Sequence, residues 1–153
     1  MKLIPATLAA ALTVTGMLAM APARAGLGRP VSSVAADQAR MKGQLRHSAA
    51  AGYTVERITT PGGTLVKEFV SPGGTVFAVS WRGPVMPDLA QVLGTRYFAM
   101  LKAAQKAKRL GHYHLQVRSP QLVVHAGGHM RQFFGVAYVP ALVPPNLSLS
   151  DLH

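Results

Sequence analysis

Two short turns, Pro61-Gly62-Gly63-Thr64 and Pro72-Gly73-Gly74-Thr75, stand eleven residues apart between runs rich in valine, threonine and aromatic residues. No other feature restricts the fold of this chain as much. Proline and paired glycines stop a strand and supply the positive φ angles of a tight hairpin. The runs they separate, residues 53–59, 64–70 and 75–81, therefore read as three strands of an antiparallel meander. Centring each turn on its glycine pair sets the register. Arg57 then falls opposite Glu68 as an opposite-charge pair, Val70 opposite Phe77, and Val66 opposite Trp81. One face collects Tyr53, Val55, Val66, Val70, Phe77, Val79 and Trp81 and is the expected core face. The other carries Thr54, Glu56, Lys67 and Ser80. Two copies of an eleven-residue unit are too few for a solenoid. The turns also lack the Lys-Ser/Thr ending and the following helix of a phosphate loop.

After the meander, Arg82-Gly83-Pro84-Val85-Met86-Pro87 interrupts regular pairing. Asp88 is placed to cap a helix, because its carboxylate can accept the unpaired amides of the first turn. Leu89, Val92, Leu93, Met100, Leu101 and Ala104 follow at helical spacing, with Gly94 as a weak point and Gly111 as a stop. Residues 113–117, 122–125 and 130–139 read as three further strands. The expected fold is α+β: an antiparallel β-sheet built from a β-meander, a helix and three further strands, with one long helix packed on a face.

The ends are different in character. Residues 1–25 form a secretory leader in this reading: Lys2, an apolar stretch from Leu3 to Met20, then Ala23-Arg24-Ala25 as the exit. Three threonines, a glycine and a proline dilute that stretch, which argues for cleavage over a membrane anchor, and no later run is long enough to span a bilayer. Residues 26–52 are rich in small residues and read as a lead-in, either mobile or holding a short helix over 34–46. Residues 53–139 are the single α+β domain, and the proline-rich residues 140–153 are a C-terminal strap.

Composition narrows function. The chain has no cysteine, which removes disulfides, thiolate catalysis, Cys-based metal sites and a lipidated N-terminal Cys. Sixteen basic residues face five acidic ones, a net charge of +11; a cleaved leader would take Lys2 and Arg24 with it and leave +9. Such a field favours anionic partners or serves solubility alone. The five acids offer no pair in contrasting environments for acid–base catalysis. Neither Gly-x-Ser-x-Gly nor Ser-x-x-Lys occurs. An enzyme is not the expected reading, and an unrecognised hydrolase ranks third among the functions weighed.

Three groups of residues are candidates for binding. Trp81, Arg82, Pro84 and Pro87 form a loop suited to gripping a peptide or a sugar ring, unless Trp81 fills the core opposite Val66. Lys102, Lys106, Lys108 and Arg109 make a basic helix end that can meet phosphates or simply match the helix dipole. His112, His114 and His125 form a metal site for Cu(II) or Zn(II) if a two-residue turn at Ser119-Pro120 brings them to one face; otherwise they are a polar strand face. No other cofactor is expected.

The stretch from Gly73-Gly74-Thr75 through Trp81-Arg82-Gly83-Pro84, then Pro87-Asp88-Leu89 and Leu93-Gly94, resembles the bacterial domain-of-unknown-function family 2844. So does Gly127-Gly128-His129-Met130-Arg131 running to Ala137-Tyr138-Val139-Pro140, and Leu27-Gly28 matches the start of its processed members. The resemblance implies a short exported proteobacterial protein, periplasmic or secreted in a Gram-negative bacterium, with no assigned activity, cofactor or catalytic residue. The leading expectation is a non-enzymatic module that binds another exported protein or an anionic envelope glycan or lipid. A periplasmic Cu or Zn binder is the alternative, and nucleic acid is not an expected partner.

Overall fold

The computed structural model describes residues 26–108 and 114–152. Their order is a helix α1 (Val34–Met41), strands β1 (Gln44–Ala50), β2 (Tyr53–Thr59), β3 (Leu65–Val70) and β4 (Val76–Gly83), a long helix α2 (Leu89–Lys108), and strands β5 (His114–Arg118), β6 (Val123–His129) and β7 (Gln132–Tyr138). The strands form one seven-stranded antiparallel sheet in the order β1-β2-β3-β4-β7-β6-β5. The fold is α+β. β4 lies three strands away from β5, roughly 14 Å at the usual strand spacing, and the connection between them is α2. Asp88 caps this helix by accepting the amide of Ala90 at 2.9 Å. Gly94, with φ 77° and ψ 159°, breaks it.

Residues 26–52 hold α1, inside the span read as a short helix, and also the edge strand β1, which the sequence reading does not contain. The first residues of this span are also paired: the amide of Gly28 donates to Val76 O, and that of Val76 to Arg29 O, both at 2.8 Å. The side chains of β1 are exposed on nearly every position, so no alternation marks it as a strand.

The turns explain a second correction. Each hairpin closes on a three-residue loop, Pro61–Gly63 or Pro72–Gly74, with the amide of the last glycine bonded to the carbonyl of Thr60 or Ser71. Only the last glycine of each loop, Gly63 at φ 81° and Gly74 at φ 78°, uses a positive φ. The loop centre therefore falls on Gly62, half a residue before the centre of the glycine pair. This slips β2 against β3 by one residue: Arg57 faces Lys67, and Glu56 faces Glu68. The second hairpin starts with the same offset, Val70 opposite Val76, but an irregularity at Phe69/Val70 absorbs one residue of β4 and restores Val66 opposite Trp81.

Because a one-residue slip moves a strand's side chains to the other face, the sheet has two cores rather than the single core face expected. On one side Ile58, Val66, Val79, Trp81, Val124 and Ala137 pack beneath α1 and α2, which contribute Val34, Val92, Leu93, Tyr97 and Leu101. A Cβ on Gly135 would lie 2.2 Å from Trp81 Cζ2, so the indole lies over that glycine. On the other side Val55, Phe69, Phe77, Ala78 and Val136 meet the C-terminal strap through Leu142, Val143, Leu147 and the fully buried Leu152. Tyr53, Phe69 and Phe77 form a triangle of rings with centroids 6.0–6.3 Å apart.

The slip puts Glu56 rather than Arg57 opposite Glu68; Glu68 lies on the helix side with Val66, against Asp37 of α1, and both Glu68 and Asp37 are fully buried. Gln91 of α2 donates to Asp37 Oδ1 at 2.9 Å, while Asp37 Oδ2 and both Glu68 oxygens receive no donor from another residue. Burial, then the Asp37 carboxyl beside it, then the charge of Glu56, push Glu68 up to about 9. Burial also raises Asp37, against the opposing pull of Glu68, Gln91 and Arg40. Glu68 is therefore a neutral acid at ordinary pH. The folded state holds its proton more tightly than the unfolded chain does, so its contribution to stability is complete below 4.5 and declines as pH rises to about 9. Glu68→Gln is expected to unfold at a urea midpoint that varies less than wild type across that window, with the advantage of the variant growing toward the alkaline end. Parallel curves for the two proteins would refute the assignment.

Candidate functional site

The strap covers only part of its side of the sheet. The remainder is open, and the register determines what it displays. Arg46, Arg57 and Lys67 lie directly opposite one another on β1, β2 and β3, and the same cross-strand row continues through Ser80, Val136 and His125 to Gln116. The adjoining row carries Leu65, Arg82, Phe134, Gly127 and His114. Alternation along each strand puts all of these on the face away from the helices. The two carboxylates of the sheet, Glu56 and Glu68, are on the helix side. The strands therefore separate charge, with acids beneath the helices and cations on the open face.

A hollow of about 470 Å³ lies in this face; Leu65, Lys67, Ser80, Arg82, His125 and Phe134 line it, together with Val136, Gly135 and the strand position of Trp81, whose own side chain is buried. A smaller one of about 230 Å³ adjoins it at His125 and Val136 and reaches Arg118 and the strap residue Leu149. Partial burial, then the charges of Arg57 and Arg82, lower the pKa of Lys67, so the three cations feel one another. Arg57 donates to Ser48 Oγ on the edge strand. Phe134 is 44% exposed, with the end of its ring over Gly127, where a Cβ would come within 2.9 Å of Cζ. The ring thus lies along the sheet instead of standing out from it.

The residues singled out from sequence are scattered. Trp81 is 2% exposed and on the helix side, whereas its neighbour Arg82 is exposed and on the open side. Pro84 and Pro87 are half-buried in a loop that Thr64 holds: its hydroxyl donates to Val85 O at 2.7 Å and accepts from Val85 N at 3.2 Å. Lys102 and Lys106 are exposed on α2, away from the hollow's lining; Lys108 ends that helix, and Arg109 lies outside the described residues. His112 also lies outside them. His114 faces Gly127 and His125 faces Gln116, because the β5–β6 turn centres one residue later than expected. Both imidazoles are on the open face, but among the described residues no three His, Asp or Glu side chains converge on a point that could hold a metal. Arg46, Arg57, Lys67 and Phe134 were not singled out. For Arg57 and Lys67 the signal is the β2–β3 register; Arg46 is on β1, which shows no alternation, and Phe134 is placed by the pairing of β7 with β4 and β6.

The chain is an antiparallel sheet with helices on one face and a cationic, partly aromatic hollow on the other. Ser80 and His125 are present, but the strands of this face supply no carboxylate to orient an imidazole. The chain belongs to a family of proteins of unknown function, DUF2844, whose model matches residues 23–152. No curated protein and no solved structure matches it. Among the described residues no helix is long and apolar enough to cross a membrane.

The opposed orientations of Trp81 and Arg82 give a direct test. Trp81→Phe is expected to lower stability while leaving affinity for an anionic ligand unchanged, and Arg82→Ala to do the reverse. Equal loss of binding in both, at matched folded fraction, would show that the indole belongs to the site.

Proposed function

We propose that this protein is an exported, non-catalytic module that holds an anionic partner on the uncovered face of its sheet. The observation that carries the reading is the row Arg46–Arg57–Lys67, three cations directly opposite one another on adjacent strands. Like charges in that arrangement destabilise a sheet, and Arg82 adds a fourth one position along. The bond from Arg57 to Ser48 Oγ ties β2 to the edge strand but does not require two further cations beside it. A binding surface gains a concentrated field that draws anions in and holds them once water is excluded. The net charge of the chain extends the same attraction to longer range. Export places the partner in the cell envelope or beyond it, where anionic glycans and lipids are abundant.

Arg57 is the decisive position because it lies between two cations. Arg57→Glu converts two repulsive cross-strand pairs into attractive ones, each worth about 0.2–1 kcal/mol. The processed variant is expected to unfold at higher urea than wild type. It is also expected to elute from immobilised heparin at clearly lower salt. Unchanged elution would remove the open face from the binding site and overturn the proposal.

A further inference from the structure

We infer that the anionic partner is a linear acidic polysaccharide laid across the strands, its carboxylates on the cation row and one sugar ring stacked on Phe134. The inference rests on the anion-binding reading of this same face. Three observations give the ligand its shape. First, the cations occur once per strand in a line perpendicular to the strands, so their backbones are ~4.8 Å apart, near the advance of one sugar ring along an extended polysaccharide. A polymer with a charge on each ring meets that row without folding. Second, the line does not stop at the cations. Beyond Lys67 it enters the hollow at Ser80 and Val136 and reaches His125, giving a track across β1, β2, β3, β4, β7 and β6.

Third, Phe134 stands in the adjoining row next to Arg82, with its ring along the sheet over Gly127 and 44% of its surface exposed. An aromatic face held in this way attracts the C–H bonds of a sugar ring through its negative quadrupole. Gly127 makes the posture possible, since any side chain there would lift the ring. A run of phosphates has no ring face to offer Phe134. A bilayer surface is broad and does not enter a hollow of about 470 Å³ between Lys67 and His125. A nucleic-acid single strand is usually held by several stacking aromatics in succession; beside the exposed Phe134 the two hollows offer only the half-buried Tyr138 and the buried Trp81.

The test titrates the processed protein, Phe134→Ala, Phe134→Tyr and Arg57→Glu at one fixed salt concentration with size-fractionated polygalacturonate, inorganic polyphosphate of matched length, and phosphatidylglycerol vesicles. Emission from the buried Trp81 verifies that each variant is folded. Saturable binding of polygalacturonate that falls about tenfold in Phe134→Ala and persists in Phe134→Tyr is the expected result, with Arg57→Glu weaker still. Polyphosphate bound as tightly as polygalacturonate, with Phe134→Ala without effect, would overturn the polysaccharide and leave the anion-binding face standing. Binding to vesicles alone would also overturn it, in favour of a membrane surface. If none of the three probes binds, or if Arg57→Glu binds polygalacturonate as well as wild type does, both readings fall together.

Discussion

The pairing of β4 with β7 is the contact on which the rest of the structure depends. The sheet is two meanders, β1 to β4 and β5 to β7, and their final strands meet from Ala78 opposite Tyr138 to Gly83 opposite Phe133. At the centre of this seam Trp81 faces Gly135, and the indole occupies the space a side chain on that glycine would need. The seam joins two hydrophobic layers of different origin. One is roofed by α1, which precedes the first meander, and by α2, which lies between the two in sequence; the other is roofed by a strap that follows them both. It also brings Arg82 beside Phe134, so the open hollow exists only because the two meanders share a sheet.

Much of the fold was legible because it follows from strong local signals. The glycine turns, the Asp88 cap and the break at Gly94 each have one dominant physical cause, and the structure shows all three. The alternation of residues 53–81 marked three strands in their correct order. It did not mark the faces. A hairpin with a glycine pair can close on two residues or three, and the alternatives differ by one residue in register. Thr60 and Ser71 favour the three-residue form, since their hydroxyls accept the amides of Thr64 and Thr75 at 3.1 and 3.3 Å. That small preference decides whether Arg57 meets Glu68 or Lys67. The pairing of Arg57 with Lys67 was hidden for this reason, and Arg46 with the rest of β1 for another: a strand exposed on both sides shows no pattern of burial.

The same slip that brought Arg57 beside Lys67 turned Glu56 to the helix side, opposite Glu68. Lys67 and Glu68 are neighbours in sequence on opposite sides of one strand. With the register expected from the glycine pairs, Glu68 would have neutralised Arg57. With the register observed, it faces Glu56 instead, enclosed beneath α1 beside Asp37. A carboxylate there is too costly to keep ionised, so Glu68 retains its proton through the neutral range.

That neutrality matters to the open face. An ionised Glu68 would sit within one sheet thickness of Lys67, with little water between to screen it, and would cancel part of the field the cation row presents. A protonated one leaves the row intact. The buried acid pair and the exposed cation row, which look like separate anomalies, are therefore two sides of one arrangement: the sheet hides its negative charge as neutral acid and shows its positive charge to solvent. The backbone ladder holds the cations in line, so on the proposed reading little ordering of the chain would remain for binding to accomplish. Burial first, and then the charges of Arg57 and Arg82, lower the pKa of Lys67.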